Sequence, residues 1–121
     1  MKRFKCLLLL LPFSLNLTLA QDVDAIENKH LTNIKQLTFG GDNAEAYFSF
    51  DGKYIIYQRT DPKAGIQCDQ IWMGKVPAAG EKFEPKLVST GTGRTTCAYF
   101  YPDGKHIVYG STHLGSTDCP P

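Results

Sequence analysis

Two aspartates, Asp51 and Asp103, recur in the same local motif and are the first candidates for chemistry. Paired carboxylates can divide general acid and general base work between them. Each aspartate, however, belongs to an Asp-Gly-Lys run flanked by aromatic and β-branched residues. Asp-Gly in that setting is a signal for a β-hairpin turn. The motif therefore predicts two structural aspartates that recur because a turn recurs.

The sequence shows no other pattern typical of catalysis or metal binding. It contains no G-x-S-x-G and no H-E-x-x-H segment. Residues 91–94 are glycine-rich, but they lie between predicted strands and so lack the helix N-terminus that phosphate sites use. The cysteines and the histidines His30, His106 and His113 do not have the closely paired spacing of zinc ligands. We therefore expect no catalytic residue, no metal and no cofactor.

The elements that hold these residues are two copies of one segment. Residues 46–60 read AYFSFDGKYIIYQRT and residues 98–112 read AYFYPDGKHIVYGST, with nine identical positions at a shift of 52 residues. Each copy predicts two strands joined by a tight turn. In the strand after the first turn, Ile55 and Ile56 point to opposite faces. Because both faces are apolar, we expect the sheet to be covered on both sides.

These residues resemble the TolB-type, WD-like β-propeller repeat. The similarity lies in SFDGKYIIYQRT, in YPDGKHIVYGST and in the preceding IKQLTFGGDNAEAYF, and it covers residues 34–112. Phe50 departs from the proline that the family carries there, whereas Pro102 retains it. The resemblance implies an all-β fold built from propeller blades: one four-stranded blade, about half of the next, and a leading strand.

The predicted strands cover residues 34–39, 44–50, 53–60, 68–76, 83–89, 95–101 and 105–111. Residues 113–121 have no strand periodicity and are expected to be a loop or tail. A propeller needs about 4–8 blades to close. We therefore expect the N-terminal part of a longer protein, with a short chain that assembles a ring from several copies as the alternative. The last strand is expected to be an open edge that exposes Val108 and Tyr109.

Residues 1–20 have the three-part pattern of a secretory signal peptide. Basic side chains lie within residues 1–5, an apolar run covers residues 6–19, and Ala20 offers a small residue for cleavage. An uncleaved anchor is the alternative, disfavoured because the run is shorter than the ~20 residues that span a bilayer. We expect a periplasmic or secreted protein with a polar lead-in over residues 21–33. Cleavage leaves ten basic and twelve acidic side chains, a balance that favours neither nucleic acid nor an anionic membrane as a partner.

Export would leave three cysteines, Cys68, Cys97 and Cys119. An oxidising compartment permits disulfides, and an odd count requires an outside partner or a free thiol. Cys68 opens the third predicted strand of the first blade and Cys97 lies in the first strand of the next blade, so we expect a Cys68–Cys97 bridge between blades. The repeat places Cys119 almost where Cys68 lies in the first copy, so we expect its partner beyond Pro121.

The expected binding surface is the rim formed by the loops at residues 40–45 and 91–96. Its polar members would be Asp42, Glu45 and Arg94. The resemblance implies a non-catalytic, exported binding scaffold whose partner is a protein or another cell-envelope component. The alternative is the propeller portion of a larger hydrolase, similar to prolyl-oligopeptidase-like peptidases, with its catalytic domain beyond Pro121. A sugar- or metal-binding propeller enzyme is disfavoured because clustered acidic residues are absent from the sequence.

Overall fold

Strands dominate the computed structural model, which describes residues 29–120. The predicted signal peptide at residues 1–20 and most of the lead-in at residues 21–33 lie outside the described residues. The all-β prediction is confirmed. The strands are β1 (Asp42–Phe48), β2 (Tyr54–Asp61), β3 (Ile66–Lys75), β4 (Lys86–Leu87), β5 (Thr95–Phe100) and β6 (Ile107–Ser111), and a 3-10 helix (Pro62–Ala64) joins β2 to β3.

The strands form two antiparallel sheets in a compact unit that begins at Lys35. One sheet has four strands in the order β1-β2-β3-β4, and the other is the β5-β6 hairpin. Neither sheet closes on itself within the described part of the chain. Ile56 and Ile71 of the first sheet meet Ala98 of the hairpin in a buried core. Half-buried side chains surround this core: Tyr47, Met73, Val88, Phe100, Ile107 and Tyr109.

Both predicted turns are present, and the same backbone hydrogen bonds form in each. The amide of Gly52 donates to the carbonyl of Ser49 at 2.8 Å, and the amide of Gly104 donates to that of Tyr101 at 3.1 Å. Both glycines have a positive φ, which a residue without Cβ adopts at no steric cost. The Asp51 carboxylate accepts from the Lys53 amide at 3.1 Å. Its counterpart Asp103 does the same for Lys105 at 2.9 Å. The prediction of two structural turn aspartates is confirmed.

A β-bulge also recurs at the same place in both copies. The β1-β2 register shifts between Ala44 and Tyr47, and the β5-β6 register shifts between Thr96 and Tyr99. Within the two bulges, Glu45 and Cys97 both adopt positive φ, at 49° and 54°. Their sequence positions differ by the repeat shift of 52 residues. Two different residue types therefore adopt the same backbone conformation, one that few non-glycine residues adopt.

Two predicted strands are wrong in whole or in part. Residues 34–39 form no strand, and the predicted strand at residues 83–89 shortens to Lys86–Leu87. Pro85 has no amide hydrogen to donate to a ladder. Phe83 instead lies over the sheet, where a Cβ at position 74 would be 2.5 Å from its ring. The glycine at that position therefore makes room for an aromatic cover in place of a longer strand.

The two faces of the four-stranded sheet are covered by different partners. Ile56 faces the β5-β6 hairpin, whereas Tyr57 faces Phe83 with ring centroids 6.1 Å apart. Ile55, Ile56 and Tyr57 are all buried, as expected for a sheet covered on both sides. In the second copy, Val108 is exposed as predicted, but Tyr109 is half-buried because it packs against the core.

The predicted Cys68–Cys97 bridge is wrong. Cys68 is bonded to Cys119, with a Cα–Cα separation of 5.6 Å, a usual distance for a disulfide. The expected partner of Cys119 beyond Pro121 is therefore also wrong. Cys97 is an exposed thiol without a disulfide partner in the described part of the chain. The bulge explains the difference, because the left-handed backbone at Cys97 reorients its side chain relative to a regular strand.

Candidate functional site

The loop before β5 is held in place by one buried side chain, Gln70 of β3. Its amide nitrogen donates to the Gly93 carbonyl at 2.8 Å. Its amide oxygen accepts from the Gly91 amide at 3.1 Å and from the Ser89 hydroxyl at 2.8 Å. The amide is thus hydrogen-bonded at both its nitrogen and its oxygen, which is what burial of a polar group demands. These bonds fix the second of the two predicted rim loops.

Arg94 is the last residue of this loop before β5 and is anchored through its backbone. Its amide donates to the Thr112 hydroxyl at 2.9 Å, and its carbonyl accepts from the Thr112 amide at 3.0 Å. The guanidinium lies 3.8 Å from a carboxylate oxygen of Asp69 and 3.8 Å from the Cys119 sulfur. The side chain remains partly exposed. Arg94 therefore presents a partly exposed positive charge on an anchored stretch of backbone.

The first rim loop leads into β1, where Asp42 is exposed and pairs in register with Thr60 of β2. The Thr60 hydroxyl donates to the Asp69 carboxylate. Asp69 in turn lies beside Arg94. A continuous polar row thus runs from the first sheet to the hairpin at one end of the molecule. We call these four residues, Asp42, Thr60, Asp69 and Arg94, the polar row.

Glu45 and Cys97 lie further along β1 and β5, beside a pair of tyrosines. The rings of Tyr47 and Tyr99 have centroids 4.3 Å apart with an interplanar angle of 32°. Hydrogen bonding to the Tyr99 side chain raises the pKa of Tyr47 to about 12, and burial and the Glu45 carboxylate act in the same direction. The structure therefore brings Glu45 close to the tyrosine pair, while Asp42 and Arg94 belong to the polar row.

The opposite end of the molecule carries a cleft of about 440 Å³ between the two Asp-Gly turns. Aromatic and aliphatic side chains line it together with the turn residues. The Ser49 hydroxyl and then the Lys53 amide lower the pKa of Asp51 to about 2. His106, which lies 2.6 Å away, and then the Lys105 amide lower the pKa of Asp103 to about 2. Both aspartates are therefore anionic at neutral pH and occupied by their own turns.

Sequence patterns identified the exposed members of the rim but not the groups that support it. Gln70 and Asp69 lie in a strand whose prediction rested on its apolar residues. The only signal for Gln70 and Asp69 in the sequence is that they are polar residues next to Ile71 and Trp72 in a predicted strand. A polar side chain that is buried in a strand needs a polar partner on the element that covers it. Cys119 lies in a segment without periodicity, so its place beside Arg94 had no local signal.

Within residues 29–120, no three acidic, histidine or cysteine side chains are close enough to share a metal ion. The same residues include no helix of sufficient length and apolarity to cross a bilayer. No protein-family model, no curated protein and no solved structure matches the chain.

Proposed function

We propose that the chain forms part of an exported, non-catalytic binding scaffold of the β-propeller type. In this proposal, each repeat forms one sheet, and the sheets of successive repeats stack face to face. The loops before β1 and β5 bind a protein or another cell-envelope component. The observation that carries the proposal is the polar row, which joins both repeat copies at one end of the stacked sheets. Binding residues commonly lie on loops that a rigid scaffold positions.

The contacts between the two sheets support stacking as the principle of assembly. Ile107 and Tyr109 of the hairpin pack against the core that contains Ile56. Their counterparts in the first copy, Ile55 and Tyr57, lie on the other face of their own sheet. One copy therefore uses one face of the repeat and the second copy uses the opposite face. Such a head-to-tail contact can be repeated by further units, which gives a ring when the rotation closes.

Export is supported by two independent features of the chain. Residues 1–20 carry the signal-peptide pattern. The Cys68–Cys119 disulfide is of the kind that persists in an oxidising compartment. We therefore propose a periplasmic or secreted protein that begins at Gln21 after cleavage.

Site-specific photocrosslinking in the native source tests the binding surface. A photoreactive residue replaces Asp42 or Arg94 at the rim, and matched controls carry it at Lys53 or Lys105 in the turns at the opposite end. We expect one discrete crosslinked partner from both rim positions and none from the turns. N-terminal sequencing of the exported protein should give a start at Gln21.

The partner recovered in this way is then purified and its affinity measured by calorimetry. Arg94→Ala should weaken binding by about fivefold or more, as expected when a contact worth ~1 kcal/mol is removed. Lys105→Ala should leave the affinity unchanged. Equal crosslinking from both ends, or equal affinity in both variants, would contradict the proposed surface.

A further inference from the structure

Three buried polar atoms lie on the sheet face opposite the hairpin without a hydrogen-bond partner among the described residues. They are the hydroxyl of Tyr57, the Nε of Arg59 and the indole Nε1 of Trp72. A buried donor left unpaired destabilises the folded state, and native proteins contain few such groups. Two of the three, on Tyr57 and Arg59, belong to residues that line one cavity.

The three side chains are held together by the strand register. Tyr57 and Trp72 are paired across β2 and β3. Arg59 lies two residues beyond Tyr57, hence on the same face, and its guanidinium carbon is 5.4 Å from the centre of the Trp72 ring. Tyr57 is only 3% exposed. The strand register and the Arg59–Trp72 contact thus hold the three donors on one face of the sheet.

Tyr57 and Arg59 line a cavity of about 170 Å³ that is open to solvent on one side, where Phe39 is 76% exposed. Its other walls are mostly apolar and come from the segment before β1 and from the cover of the sheet: Leu37, Thr38, Phe39, Gly40, Phe83 and Pro85. A water molecule occupies about 30 Å³ of liquid, so the volume is about that of five to six waters. The cavity therefore suits a molecule of about five non-hydrogen atoms with a polar end and an apolar end.

The donor set decides which polar end fits. The Nε of arginine can only donate, and a tyrosine hydroxyl can donate or accept. Burial raises the pKa of the Tyr57 hydroxyl, which keeps its proton at neutral pH. One arm of the Arg59 guanidinium is bonded to Asp61 at 2.7 Å, and that contact leaves Nε for a second acceptor. A planar group with two acceptor oxygens satisfies both donors at once.

We propose that this cavity binds a short-chain monocarboxylate. Its two oxygens accept from the Tyr57 hydroxyl and from Arg59 Nε, and its alkyl chain lies against Phe39 and Phe83. The site is separate from the polar row, because it lies on the other face of the four-stranded sheet. The proposed function does not depend on it.

Trp72 provides the readout, because it is the only tryptophan in the chain and stacks on Arg59. The full exported chain is titrated with propionate, followed by tryptophan fluorescence and by calorimetry. Propylamine, which has a similar size and the opposite charge, serves as the control ligand. We expect a saturable response to propionate and none to propylamine.

Tyr57→Phe removes the hydroxyl alone, and Tyr54→Phe is the matched control on an exposed tyrosine of the same strand. Tyr57→Phe should weaken propionate binding at least about tenfold, the usual effect of losing a hydrogen bond to a charged group. Arg59→Lys should do the same, and Tyr54→Phe should bind like the original chain. Thermal unfolding of each variant verifies that it is folded.

Two results would overturn the site. One is the absence of a saturable propionate response in the original chain, which would mean that ordered water satisfies the donors. The other is unchanged propionate affinity in folded Tyr57→Phe. Either result leaves the rim proposal intact, since crosslinking at Asp42 and Arg94 does not involve this cavity.

Discussion

Asp51 and Asp103 perform the same task in their turns with different neighbours. Ser49 donates to the Asp51 carboxylate at 2.7 Å, whereas its counterpart in the second copy is Tyr101. His106 contacts Asp103, whereas its counterpart in the first copy is Tyr54. Each copy thus lowers the pKa of its turn aspartate to about 2, one through a hydroxyl and one through an imidazole.

This difference allows a prediction for each turn. Ser49→Ala should raise the pKa of Asp51 toward its ordinary value and leave that of Asp103 in place. His106→Tyr, which installs the residue of the first copy, should raise the pKa of Asp103 alone. NMR titration of the side-chain carboxyl carbons measures both values. Because the folded-state pKa lies below the unfolded value of ~3.9, each aspartate stabilises the fold above about pH 4. That contribution is lost as the pH falls toward 2.

A shift of both aspartates by either substitution would contradict the assignment of separate neighbours. So would an unchanged pKa of Asp51 in folded Ser49→Ala.

At the scale of elements, the disulfide attaches the last described segment to β3. It joins residues separated by 51 positions, and the Gly93 amide adds a bond to the Thr117 carbonyl at 2.8 Å. A segment without strands is thereby fixed beside the rim. Its position depends on β3 and on the loop that Gln70 holds.

Cys119→Ser should therefore lower the free energy of unfolding by about 2–4 kcal/mol, the usual contribution of a disulfide that closes a long loop. Cys97→Ser is the matched control and should have little effect, because Cys97 is exposed. Urea denaturation measures the difference. Peptide mapping without reductant should join the Cys68 and Cys119 peptides, and recovery of a Cys68–Cys97 peptide would refute the assignment.

The elements that could be predicted from the sequence are those with a local signal. The Asp-Gly turns and the strands around them have one, since alternating apolar residues flank a glycine that needs positive φ. The strand expected at residues 83–89 contains apolar residues too. Phe83, however, is partly buried by packing over Gly74 and not by strand pairing. The bulges at Glu45 and Cys97 had no signal, because neither residue type favours that backbone. Without them, the side chain of Cys97 could not be placed and the disulfide was assigned wrongly.

The residues of the rim also fall into those with a sequence signal and those without one. Asp42, Glu45 and Arg94 could be located because the repeat places their loops at equivalent positions, and their role in binding stays a prediction. Gln70 and Asp69 support the rim through contacts between residues more than twenty positions apart along the chain. Such contacts depend on the packing of two sheets, which no short sequence pattern records.

At the scale of the whole molecule, equivalent residues of the two copies lie in unequal environments. Ile56 is fully buried under the hairpin, whereas its counterpart Val108 is 47% exposed. Tyr47 is half-buried, and its counterpart Tyr99 is exposed. The face of the hairpin that corresponds to the covered face of the first sheet is thus an open apolar surface.

Truncation of equivalent residues should therefore give unequal effects. Ile56→Ala should lower the free energy of unfolding by about 2–5 kcal/mol, since it empties space in the core. Val108→Ala should change it by less than about 1 kcal/mol, because an exposed side chain loses little burial. Denaturant midpoints of the two variants provide the comparison. A large loss in Val108→Ala would show that another sheet already covers this face in solution.

The paired bulges also limit how the protein can aggregate. β1 is an edge strand of its sheet, and β5 is one of the two strands of the hairpin. Both therefore have free backbone groups with which a foreign strand could pair. The bulges at Glu45 and Cys97 break the regular spacing of those groups in the middle of each edge. Irregular edges are a device by which β-proteins resist fibril growth. The bulges therefore disfavour amyloid-like addition of a foreign strand at the β1 and β5 edges.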